Sequence, residues 1–153
     1  MENEKTIDVL NTLIQINNDR IEGYETAFKE TEEQDLKAYF SQFMLTSQKC
    51  KKELEDEVTR LGGEPTESTR VSGKFFRVWM DVKSAITGKD RKAILGSCEY
   101  GEDVADETYQ DVLKNELGHL MYPQQAMINA QHARLKADRD LIKSMHDALE
   151  ATS

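Results

Sequence analysis

The chain has 153 residues, 38% hydrophobic and 32% charged, a size and balance that suit one soluble domain with a buried core. Eight glycines, two prolines and no run near the roughly 18 apolar residues of a membrane span exclude disordered, fibrous and transmembrane classes. The 20 basic and 29 acidic side chains leave a net charge of −9, which works against nucleic-acid binding because phosphate contacts need a concentrated basic face.

Helical periodicity runs through the whole chain, and its breakers predict helices near 6–30, 32–62, 72–87, 90–118 and 123–150. In the first, Ile7, Leu10, Ile14, Ile21, Tyr24 and Phe28 recur at spacings of three and four. Thr31-Glu-Glu-Gln34 has the capping-box form and opens the second, whose stripe is Leu36, Phe40, Phe43, Cys50, Leu54, Val58 and Leu61. Leu61-Gly62-Gly63 followed by Pro65 gives it a left-handed end. The third is short, with Val71, Phe75, Val78, Trp79, Val82 and Ile86 on one side and Gly88 as terminator. Asp90 caps the fourth, which carries Ile94, Cys98, Ala105, Tyr109 and Val112. Pro123 suits the first turn of the fifth, which shows Ile128, Leu135, Ile142, Met145 and Leu149. No alternating strand pattern survives, so the class is all-α. Four long helices with one long connection holding its own helix describe a single domain over 1–153, a ferritin-like four-helix bundle with a crossover.

Charge is uneven along the chain. Residues 1–65 carry 15 acids and 8 bases, 66–89 carry 2 and 5, 90–122 carry 8 and 3, and 123–153 carry 4 and 4. The basic middle, with Arg70, Lys74, Arg77 and Lys83, suits docking on acidic neighbours. The acidic run Glu99, Glu102, Asp103, Asp106, Glu107 and Asp111 reads as a solvated flank, because it lacks the glycine and ligand order of a calcium loop. The opening MENEKTIDVL lacks the basic-then-apolar order of an export signal and points to the cytoplasm. Cys50 and Cys98 sit about eight residues apart along the bundle and are expected to be unbonded thiols.

The stretches LNTLI, EGYETAF, LGGEP, RVWMDVKSAITG and above all ILGSCEYGEDVADETY resemble a bacterial ferritin-like four-helix-bundle family known only as a domain of unknown function. The resemblance spans about Ile7 to Met145 and implies the bundle fold without implying an activity. In that family a histidine often stands where this chain has Phe76, and another where it reads Asp138-Arg139-Asp140. Both are missing here.

Ferritin-like bundles often hold two metal ions with carboxylates and Glu-x-x-His pairs from facing helices. The one such pair here, Glu116-Leu-Gly-His119, falls in a last helical turn, while His132 lies on a flank and His146 near a solvated end. No metal or other cofactor, and no catalytic residue, is therefore assigned. A polar layer is predicted instead: Asn17, Ser47, Glu102, Gln131 and Asp138 fall on the apolar stripes, and Asn17, Ser47, Glu102 and Asp138 share one height. Two carboxylates buried together need a partner, which the sequence leaves open between Arg139 or Arg20, ordered water with a shared proton, and a divalent metal. Arg139 leads because it neighbours Asp138. The reading is a non-catalytic association protein, a homodimer or other homo-oligomer, with a link to stress. A metal-dependent oxidase or storage protein and a small-molecule binder are the alternatives.

Overall fold

The computed structural model describes residues 2–69 and 73–151, without the side chains of residue 2 and of residues 73–77. Within these the chain is all-α and holds no strand: α1 (Glu2–Glu30), α2 (Gln34–Arg60), a short α3 (Gly73–Thr87), α4 (Arg91–Asn115) and α5 (Tyr122–Ala151), with one turn of 3₁₀ helix at Leu117–His119. No helix among the described residues is long and apolar enough to cross a membrane. Arg70 and Val71 lie outside the described residues, as do the side chains of Lys74, Phe75, Phe76 and Arg77.

The helices form because each places its large apolar residues every three or four positions, on one face. On α2 the buried set is Leu36, Phe40, Phe43, Ser47, Cys50, Leu54 and Val58. On α4 it includes Ile94, Cys98, Glu102, Ala105, Tyr109 and Val112. Each of these stripes contains a polar member where the period asks for an apolar one.

Helix ends follow the expected signals with two corrections. The N–H of Gly63 donates to Val58 and that of Gly62 to Thr59, each at 3.0 Å. With Gly62 at φ +86°, this pattern satisfies the last carbonyls of α2. Asp90 accepts the N–H of Ala93 and starts α4. The capping box at Thr31 does not form: α2 is capped from Glu33 without a side-chain bond, and the Thr31 hydroxyl accepts the Glu33 N–H in the preceding turn. At the end of α3 the left-handed residue is Lys89, at φ 54°, rather than Gly88. Lysine in that conformation costs about 1 kcal/mol against glycine. Its ion pair with Glu32 is too exposed to offset this. Lys89→Gly is therefore expected to raise the urea-unfolding free energy by about 0.5–1 kcal/mol; a fall would show that the Glu32 pair outweighs the backbone strain.

α1 packs most closely on α2, and α4 on α5, giving two helical hairpins, while α2 meets α5 and α1 meets α4 more lightly. From Asn17 to Arg20 on α1, the α4 partner moves from Tyr109 to Glu102; Tyr109 in turn binds Gln131 on α5, whereas Arg20 binds Asp138 there. α1 and α5 therefore run one way and α4 the other. The connection between the hairpins climbs beside α1: Gly63 meets Ile7, Asn11 holds Glu64 and Thr66, and Asn18 holds Ser68. Then α3 lays Trp79 against Gly23 and brings Lys83 towards Glu30. Two apolar clusters fill the interior. One gathers Leu10, Leu13, Leu54, Ala105 and Leu135 at the end bearing the α1 N-terminus. The other gathers Tyr24, Phe40, Phe43, Cys98 and Ile142. Polar side chains lie between them.

Candidate functional site

All four long helices contribute to that polar region. Arg20 on α1, Ser47 on α2, Glu102 on α4 and Asp138 on α5 each take a stripe position and are buried, with Arg20 only 1% exposed. The Arg20 guanidinium binds Glu102 through two parallel contacts, Nε to Oε1 at 3.0 Å and Nη2 to Oε2 at 3.1 Å. Nη2 also reaches Asp138 Oδ2 at 3.3 Å, and Nη1 donates to the Ser47 hydroxyl. The Tyr24 hydroxyl donates to Glu102 Oε1. The fork of the guanidinium suits this task because it offers several donors in one plane to carboxylates on two helices.

The electrostatics follow from the burial of these side chains. Burial works against the Arg20 charge, yet the attraction of Glu102, Tyr24 and Asp138 outweighs it and holds the guanidinium more firmly protonated than in water. Burial pushes the Glu102 carboxyl above the ordinary carboxylate range, against the opposing pull of Arg20 and the Tyr24 hydroxyl. Burial also raises Asp138, with Arg20 again opposing. Tyr24 is pushed well above the usual phenol range by burial and then by Glu102, so its hydroxyl stays a donor.

Asn17 belongs to a second set, one turn towards the α1 N-terminus. Its amide donates to the Tyr109 hydroxyl and to the Leu13 carbonyl, both at 2.9 Å. Tyr109 donates to Gln131 Oε1 at 2.8 Å, and Gln131 donates in turn to the Cys50 carbonyl and to Glu53. Asn17, Ser47, Glu102 and Asp138 thus occupy two adjoining polar sets rather than one layer.

Arg139 does not join either set. It binds Asp103 on the α4/α5 flank with its side chain 28% exposed, because neighbours in a helix diverge by about 100° and Arg139 turns away from the side Asp138 faces. The same flank corrects two further expectations. His146 is only 18% exposed and meets Glu99 at 2.8 Å, while His132 meets Asp106 at 2.6 Å. Glu99, Asp103 and Asp106 therefore pair with α5 instead of forming a free solvated face. Glu116 and His119 stand 3.7 Å apart at the end of α4, each more than a third exposed. Among the described residues no three His, Cys, Asp or Glu side chains gather into a metal-binding group. Cys50 and Cys98 are free and buried, and burial pushes both thiols above their ordinary range.

Tyr24 and Tyr109 were legible only as stripe residues, since a tyrosine ring fills an apolar position while its hydroxyl reaches a polar partner. The spacing Asn17, Arg20, Tyr24 was the available signal: three polar groups at three and four residues on the buried face of one helix.

No curated protein matches the chain. A family model described as "Domain of unknown function (DUF2383)" matches residues 5–115, a span that includes Asn17, Arg20, Tyr24, Ser47 and Glu102 and leaves Asp138 beyond it. By that match the chain belongs to the DUF2383 family.

Proposed function

We propose that the protein is a ferritin-like four-helix bundle whose centre is closed by an arginine, and that it acts by protein association, as a homo-oligomer in the bacterial cytoplasm, without catalysing a reaction. The two helical hairpins, the long crossover with its own helix and the opposed directions of α1 and α4 support the bundle reading. The observation that carries the functional reading is the Arg20 guanidinium between Glu102 and Asp138.

The donor set does not suit a pair of metal ions. Both interior carboxylates already accept from a fixed cation, and the imidazoles of His132 and His146 are tied to Asp106 and Glu99 on the flank. A divalent ion would have to expel a charged side chain from its own counter-ions. Neither thiol is set up as a nucleophile, since burial disfavours both thiolates.

Ferrous loading of the purified protein tests this. The expected result is no stoichiometric iron by elemental analysis, and a melting temperature that chelator leaves unchanged. Stoichiometric iron with an oxygen-dependent absorbance change would make the protein an oxidase or storage protein instead.

A further inference from the structure

The crossover helix α3 covers the α1/α4 seam over only part of its length. Trp79 fills the notch at Gly23, and Val78 fills the one at Gly101. Towards the α1 N-terminus the same two helix faces continue without α3, and a groove of about 790 Å³ opens between Asp8 and Thr12 on one side and Glu107, Thr108 and Asp111 on the other. Val9 and Val112 also line it.

The charges in this groove differ from those elsewhere on α4. Glu99, Glu102, Asp103 and Asp106 all meet cationic or imidazole partners within the chain. Asp8, Glu107 and Asp111 are exposed, and none of them forms an ion pair among the described residues. Glu116, 3.7 Å from the His119 imidazole, adds a fourth carboxylate, and Lys5 is the one lysine of the lining. Just beyond the groove along the chain, Leu117, Met121 and Tyr122 are 42%, 65% and 82% exposed. An open bed for a helix, acids along it that have no ion pair among the described residues, and large apolar side chains at its end define a complementary shape: a helix with a basic face and an apolar edge.

We propose that this open half of the α1/α4 seam is a docking groove for a basic amphipathic helix of a partner protein, which would lie on the seam in line with α3. The groove spans about ten residues of helix, roughly 15 Å, so lysines or arginines three and four residues apart on the partner would reach carboxylates on both walls. This rests on the reading of the chain as an association protein and names the surface that would serve it.

A synthetic 14-residue helix with a lysine face and a leucine face is the probe, titrated against the full chain at physiological salt. The expected result is saturable one-to-one binding, weakened at least tenfold in Asp8→Asn/Glu107→Gln/Asp111→Asn. The control Glu25→Gln/Asp56→Asn/Asp147→Asn, which removes the same charge from other exposed acids, is expected to bind as the wild type does. Amide shifts in the wild type should move at 5–12 and 107–122 only. Equal losses in the two triple variants, no loss in either, or shifts centred elsewhere would overturn the groove. Self-association of the wild type that the Asp8/Glu107/Asp111 variant abolishes would give the groove to a second copy and overturn the foreign partner, while leaving the association reading in place. Iron loading tests that reading separately.

Discussion

Replacing Arg20 with methionine is expected to lower the unfolding free energy by about 3–5 kcal/mol near neutral pH, the cost of leaving a buried charge without its partner. Methionine keeps much of the side-chain volume, so the loss reports charge more than packing. Glu102, held by the Tyr24 hydroxyl, and Asp138, held by Thr46 and Gln42, would then face one another without a cation, and both carboxyls, already raised by burial, would rise further. An acid whose folded pKa lies above its unfolded value penalises the native state wherever it is ionised, and the penalty disappears as pH falls through the folded value towards the ordinary one. The deficit of Arg20→Met is therefore greatest at neutral pH and shrinks on acidification. Urea unfolding across a pH series checks this. A deficit below about 1 kcal/mol that does not change with pH would mean that the carboxylates do not depend on the guanidinium.

The second large effect is steric. A Cβ added at Gly23 would lie 2.0 Å from Trp79 Cε2 and 2.2 Å from Cζ2, inside the indole ring. Neither atom is the free end of a flexible side chain, so Gly23→Ala must push the ring, and α3 with it, off α1. Overpacking of this kind costs about 1–3 kcal/mol. Trp79 is the only tryptophan in the chain, so its fluorescence is expected to shift to the red as the ring loses its cover from Tyr24, which it meets edge-on at 5.2 Å. In a Trp79→Ala background the same Gly23→Ala change should cost almost nothing, since the obstructing ring is gone. A full additive cost in the double variant would place the damage in α1 itself.

The all-α class and most helix ends were readable because they depend on local spacing. Apolar residues three and four apart place a face, Gly62 and Asp90 place ends, and neither requires knowledge of distant chain. The polar residues on those faces were readable for the same reason. What the sequence ranked wrongly was the arginine. Adjacency to Asp138 favoured Arg139, but adjacent residues on a helix point apart, whereas Arg20 lies on the buried face beside Asn17 and Tyr24 and is long enough to reach two other helices. The burial of His146 has a different origin. Its cover comes from α4, where Gly96 leaves so little side chain that a Cβ there would come within 3.3 Å of the imidazole; nothing in the fifth helix alone announces that. Lys89 shows the reverse limit, since composition placed the stop at glycine and the backbone took the next residue.

The four-helix distribution of the buried polar side chains has a consequence for assembly of the fold. Each hairpin can zip from local contacts, which are quick to form, but Arg20 finds Glu102 and Asp138 only when the two hairpins meet. Sliding one hairpin past the other by a single helical turn, about 5.4 Å, would keep many apolar contacts roughly matched and yet carry the guanidinium away from both carboxylates. The charge cluster thus acts as a register mark, penalising near-miss dockings that an all-leucine seam would tolerate.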